Sequence, residues 1–131
     1  MSARILIVED ESIVRLDLQN RLERLGYTVI GGAATGEEAI AKAVELGPDL
    51  VLMDVTLAGP MNGIEAARQI RAVRNTPVIY VTAYAAALEG FERKDILGPC
   101  LSKPFRTKEL QSAIDRSLRG GQHGIEEDSR V

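Results

Sequence analysis

Four stretches of this 131-residue chain end an apolar run on a group able to do chemistry. Glu9 and Asp10 follow the run at residues 5–8, Asp54 follows 50–53, Thr82 follows 77–81, and Lys103 follows the short segment 100–102. Carboxylates gathered at one edge repel one another unless a divalent cation neutralises them, and hard oxygen donors with room for water suit Mg2+. A lysine adds nothing to the holding of a cation, but it pairs well with a phosphoryl oxygen, and a threonine hydroxyl can donate to another. An aspartate in that company is already ionised at neutral pH and can attack phosphorus directly, forming an acyl phosphate without a separate base. The attached group would bring about −1.5 to −2 charges and three strong acceptors, enough to draw Thr82 and its loop inward. Function would then lie in the rearrangement.

Those groups converge only if the runs are neighbouring strands. The runs at 5–8, 50–53 and 77–81 lack strict alternation, as strands buried on both faces of a parallel sheet do, and weaker strands fit 27–33 and 100–102. Helical patterns lie between them. Val14, Leu18, Leu22 and Leu25 form one stripe that leaves Arg15, Asp17, Arg21, Glu23 and Arg24 for solvent. Thr35 and Glu38 make a capping box ahead of Ala39, Ile40, Ala43 and Val44, and Gly47-Pro48 stops that helix. Asn62 caps a third helix with the stripe Ile64, Ala67, Ile70 and Val73. A fourth, Ala-rich and interrupted by Gly90, falls within 84–97, and the last runs from the cap Thr107 through Leu110, Ala113, Ile114 and Leu118 to Gly120-Gly121. Five strands alternating with five helices predict right-handed crossovers and an α/β, doubly wound five-stranded parallel sheet, whose ligands bind beyond the carboxyl ends of the strands.

Composition narrows the setting. Hydrophobic residues at 45% and charged residues at 27% describe one globular domain, expected over residues 1–119 with a polar, flexible tail at 120–131. A formal charge of −3 offers no cationic field for a phosphate backbone or an anionic membrane, so no nucleic-acid or membrane partner is expected. The short apolar start turns acidic at once, no run approaches the length of a membrane span, and the expected setting is the cytoplasm. Cys100 is the single thiol and reads as a small buried residue, while the single histidine, His123, stands in the polar tail and argues against histidine catalysis. The glycine-containing loop at 57–63 lacks the Gly-Lys-Ser/Thr ending of a nucleotide P-loop.

The segments ILIVED, DVTLAGPMNGIEAARQIR, VIYVTAY and LSKPF resemble the receiver domain of two-component response regulators, over roughly residues 4–119. The resemblance implies a flavodoxin-like (βα)5 fold with strand order 2-1-3-4-5. It implies that Asp54 accepts the phosphoryl group, that Asp10, Asp54 and the carbonyl of Thr56 bind Mg2+, and that Glu9 supports the ion through water. Lys103 matches the lysine that pairs with the phosphoryl group, Thr82 the switch hydroxyl, and Lys103-Pro104 is expected cis. The family commonly places an aromatic three residues before the lysine; here that residue is Cys100, which leaves Tyr84 to take part of the gating.

On this reading the chain is a phosphorylation-activated switch, not an enzyme with turnover. Its phosphoryl group comes from a sensor histidine kinase or a histidine phosphotransfer protein. Output runs through a downstream protein at the face of the fourth helix, fifth strand and fifth helix, or through phosphorelay, from a monomer or weak dimer. Two other classes fit the sequence less well. A metal-dependent phosphohydrolase with the same aspartyl-phosphate chemistry needs a further acid, and the second residue after Asp54 is Thr56. A flavodoxin-like cofactor carrier fits poorly with 4% aromatics and an acidic first strand end.

Overall fold

The computed structural model describes residues 2–83, 88, 91 and 93–129, with backbone alone for Arg93 and residues 120–129. β1 (Arg4–Val8), β2 (Thr28–Ala33), β3 (Leu50–Asp54), β4 (Val78–Thr82) and β5 (Cys100–Ser102) pair in parallel throughout, in the order β2-β1-β3-β4-β5. The chain moves outward from β1 to β2, then returns past β1 to build the other half of the sheet. That reversal puts helices on both faces. α1 (Ser12–Arg24) and α4 (Thr107–Ser129) cover one face; α2 (Gly36–Leu46) and α3 (Gly63–Val73) cover the other.

Alternation along each strand divides the core. Ile5, Ile7, Leu50, Leu52, Ile79 and Val81 pack against Leu18 and Leu22 of α1 and Leu110, Ala113 and Ile114 of α4. Leu6, Val8, Val51, Met53, Val78 and Tyr80 pack against Ala39 and Ala43 of α2 and Ile64, Ala67 and Ile70 of α3. A strand with both faces covered has no polar side to show, which is why these runs read as continuous apolar stretches. Tyr80 stays fully buried because its hydroxyl finds a partner, accepting from the Leu97 N–H at 3.2 Å and tying the segment before β5 to β4.

The helix ends follow local chemistry. Thr35 accepts from the Glu38 N–H at 3.1 Å, and the Glu38 carboxylate reaches back to the Ala34 N–H at 2.8 Å. Asn62 accepts from the Glu65 N–H at 2.9 Å. Gly47 ends α2 in the left-handed region at φ 58°, a backbone that favours a residue without Cβ. At α4 the cap is Arg106, whose N–H donates to Glu109 Oε1 at 2.8 Å, one residue earlier than Thr107.

Several expectations change. The stripe of α3 ends at Ile70, and Val73 is 63% exposed because the last turn overhangs the loop to β4. Arg15 and Arg21, expected to face solvent, both turn back on the chain. Arg21 donates to the Phe105 carbonyl at 2.9 Å with its guanidinium 5.4 Å from the Phe105 ring centre. α4 continues past Gly120-Gly121 to Ser129. A glycine disfavours a helix interior by only about 1 kcal/mol relative to alanine, and without a following proline two of them do not end it. Of the expected fourth helix, residues 84–87, 89, 90 and 92 lie outside the described residues. What is described is a 3-10 turn at Arg93–Asp95, so the described residues hold four α-helices.

Candidate functional site

Period-two alternation carries the site chemistry past the strand ends. Continuing β1, β3 and β5 by that alternation places Glu9, Asp54 and Lys103 on the side of the sheet that α1 and α4 cover. The structure brings them together: Lys103 Nζ donates to Glu9 Oε1 and to Asp54 Oδ2, both at 2.9 Å. Glu9 is 1% exposed and Asp54 5%. The Lys103-Pro104 bond is cis, as expected.

Backbone donors complete the arrangement. The Thr56 N–H donates to Asp54 Oδ1 at 3.0 Å, and the Glu11 N–H to Glu9 Oε2 at 3.2 Å. The β3–α3 loop is set close by Gly63, whose N–H donates to the Val55 carbonyl at 2.8 Å. A Cβ at Gly63 would stand 2.1 Å from the Asp54 carbonyl, so this approach requires glycine. Asp10, exposed, and Thr82, buried, join Glu9, Asp54, Thr56 and Lys103 around a cavity of about 450 Å³ open at the carboxyl edge of the sheet.

The charges in this cavity do not balance. Ligand oxygens of Glu9, Asp10 and Asp54 lie within 4.8 Å of one another, against one ammonium. Burial foremost, with a hydrogen bond to Asp54, pushes Glu9 up to about 7; Lys103 and the Glu11 N–H pull the other way and lose. Lys103 is affected oppositely: burial disfavours its charge, yet the two carboxylates outweigh burial and raise its pKa above the ordinary value. A carboxyl that burial beside a second carboxylate keeps protonated near neutrality is a position that a divalent cation would relieve, and three hard oxygen donors suit Mg2+.

Every site residue expected from sequence, namely Glu9, Asp10, Asp54, Thr56, Thr82 and Lys103, lines this one cavity. Tyr84 lies outside the described residues. Cys100 pairs with Tyr80 across the strands and packs against the core, with burial pushing its thiol pKa up. Sequence reasoning missed Glu11 and Ala83 in the lining, and Arg15, which donates to the Glu9 carbonyl. Their signal was only adjacency to the strand ends.

Fold and cavity define a class: a flavodoxin-like α/β domain with an acidic pocket suited to a divalent cation and a phosphoryl group. Comparison with known proteins makes it particular. The family model described as response regulator receiver domain matches residues 5–115, and the chain belongs to that family, whose members are phosphorylation-activated signalling switches of two-component systems. The transcriptional regulatory protein PdtaR of Mycobacterium tuberculosis is 39% identical over 117 residues, covering 88% of this chain and 56% of PdtaR. The chemotaxis protein CheY of Thermotoga maritima is 34% identical over 122 residues, covering 88% of this chain and 98% of CheY. Among solved structures, the signal receiver domain of a modulated diguanylate cyclase from Desulfovibrio desulfuricans G20 superposes with a TM-score of 0.82 at 30% identity, covering 93% of this chain and 98% of that one. The chain thus spans about half the length of PdtaR and nearly all of CheY.

Proposed function

We propose that Asp54 accepts a phosphoryl group from a phosphohistidine on a sensor kinase or a histidine phosphotransfer protein. A carboxylate oxygen of Asp54 forms the new bond to phosphorus as the bond to the histidine nitrogen breaks, leaving an acyl phosphate on the chain and a free imidazole on the donor. Asp10, Asp54 and the Thr56 carbonyl would hold Mg2+, with Glu9 supporting it through water. When bound, Mg2+ neutralises the carboxylates and draws charge from the phosphoryl oxygens. Lys103 would exchange Asp54 for a phosphoryl oxygen, the Thr56 N–H would remain a donor beside the reacting carboxylate, and the Thr82 hydroxyl would donate to another oxygen. The observation that carries this reading is the Lys103 ammonium bridging Glu9 and Asp54 at 2.9 Å each, inside a cavity where three acids meet.

Movement of Thr82 would pass the change to the surface at β5 and α4, where a downstream protein binds or a phosphorelay continues. The chain acts in the cytoplasm as a monomer or weak dimer, modifying itself without turning over a metabolite, with residues 1–119 as the working domain. The phosphohydrolase alternative lacks support, because the residue two past Asp54 is Thr56, whose side chain is a hydroxyl and not a second acid.

Incubation with Mg2+ and acetyl phosphate, followed by intact-mass measurement, is the direct test. Wild type should gain one phosphoryl group and Asp54→Ala none. A variant that still gains the group places the acceptor elsewhere.

A further inference from the structure

Arg15 sits one turn into α1, and its side chain runs back over β2 instead of outward. Its guanidinium donates to the backbone carbonyl of Glu9. The stem passes over Gly32 of β2, where a Cβ would stand 2.8 Å from Arg15 Cδ and 3.1 Å from Nε. From α2, Lys42 donates to the Gly32 carbonyl and pairs with Glu38 at 3.3 Å. Glu38 lies below its ordinary pKa, chiefly through the Ala34 N–H, with smaller contributions from Lys42 and Arg15.

The bonded carbonyl belongs to the peptide that joins Glu9 to Asp10. Glu9 itself is fixed elsewhere: its N–H donates to the Ala33 carbonyl at 2.9 Å, and its carboxylate is held by Lys103 and the Glu11 N–H. Asp10 is different. Among the described residues, no hydrogen bond or ion pair holds its exposed carboxylate, so the peptide plane before it decides where it points. Arg15 grips that plane.

We propose that Arg15 is a positioning residue for the cation pocket: by fixing the Glu9–Asp10 peptide it aims the Asp10 carboxylate at the place where Glu9 and Asp54 converge. The inference rests on the reading of that pocket as a Mg2+ site and extends it to a residue outside the cavity lining. It separates from two blander roles by sign. As a bare positive charge near three acids, Arg15 would weaken cation binding, and its loss would tighten it. As a stem covering the edge strand β2, it would affect stability and leave affinity alone.

Titration calorimetry with Mg2+ at pH 8, at fixed ionic strength, decides among these. Loss of one charge-assisted hydrogen bond that orients a ligand predicts about tenfold weaker Mg2+ binding in Arg15→Met. Arg15→Lys, which keeps a donor of shorter reach, should recover part of the loss. Gly32→Ala touches no cavity group but displaces the stem, and should weaken binding by about threefold. With acetyl phosphate, the loss should appear in the Mg2+ concentration for half-maximal labelling, not in the rate at saturating Mg2+. Unchanged or tighter binding in an Arg15→Met chain with a wild-type circular dichroism spectrum overturns the proposal; if that variant does not fold, unchanged binding in Gly32→Ala does. A wild-type chain that ignores Mg2+ brings down the pocket reading itself.

Discussion

Two cavities of nearly equal size, about 450 and about 460 Å³, lie at opposite edges of the same sheet. The upper one opens beyond the carboxyl ends of β1, β3, β4 and β5; the lower one lies at the amino ends of β3 and β4, between Gly47–Asp49 and Val73–Pro77. Both hold charged residues. In the lower region the charged residues that line the cavity, Asp49 and Arg74, are exposed to water, and Arg4 beside it is held by backbone partners. Arg4 gives its guanidinium to the carbonyls of Leu46 and Gly47 at 2.8 Å each, and its own N–H to Asp49 Oδ2 at 2.8 Å. In the upper region two buried carboxylates share one ammonium while a third acid stands by. Volume is therefore no mark of function here. The mark is charge that folding buries and leaves uncompensated, because only that gives a cation or phosphoryl group something to gain by entering.

The sharpest way to break this contrast is to remove the one cation above. Lys103→Met leaves Glu9 and Asp54 buried with no ammonium between them, and removing one partner of a buried pair strands the other charge. Lys103 is itself 22% exposed, so the destabilisation should fall near the lower end of that effect, about 3 kcal/mol at pH 8, read as a shift in the urea midpoint. Glu9 should take up its proton at a still higher pH. Mg2+ should still bind, since its ligands are untouched, and should return part of the lost stability. A midpoint within error of wild type would mean that the upper charges are as well settled as the lower ones.

Next in size is the pH dependence. Glu9 is raised from 4.5 to about 7, so the folded chain binds this proton more tightly than the unfolded one. Stability from this group is fully present below 4.5 and is lost as pH rises through 7. The metal-free wild type should lose on the order of 2 kcal/mol between pH 4.5 and 8 relative to Glu9→Gln, which has no proton to lose there. Mg2+ should stabilise wild type more at pH 8 than at pH 5.5, because the cation competes with the proton. Urea midpoints at the two pH values, with and without Mg2+, test both. Identical pH profiles for the two proteins would show that the burial of Glu9 carries no uncompensated charge.

The contrast was only half legible in the sequence. The sheet was, because strands covered on both faces must be apolar throughout, and so was the site, because Glu9, Asp10, Asp54, Thr82 and Lys103 each fall at or just beyond a strand end. The state of Glu9 was not, since its proton depends on burial and on how near Asp54 and Lys103 come. Arg15 and Arg21 misled for another reason. Helical period tells which way a Cβ points, but an arginine is long enough to leave on the solvent side and return its guanidinium to a backbone carbonyl. Val73 and the continuation of α4 past Gly120 belong together: pattern marks where a helix stops being amphipathic, which is not where it stops being a helix. The lower cavity showed only as the stop Gly47-Pro48, with no hint that Arg4 bonds the carbonyls of Leu46 and Gly47.

The smallest expected effect tests the lower region. Arg4→Met removes two side-chain hydrogen bonds, as many as Lys103→Met removes above, and it keeps an apolar stem. The Arg4 backbone N–H to Asp49 survives the change. Because Arg4 is exposed, water can take over the carbonyls of Leu46 and Gly47, and the cost should be no more than about 0.5 kcal/mol with no change in its pH profile. Mg2+ affinity and phosphoryl uptake from acetyl phosphate should equal wild type. If Arg4→Met instead destabilised the chain as much as Lys103→Met, the number of hydrogen bonds would govern both edges, and burial of unbalanced charge would no longer distinguish the functional one.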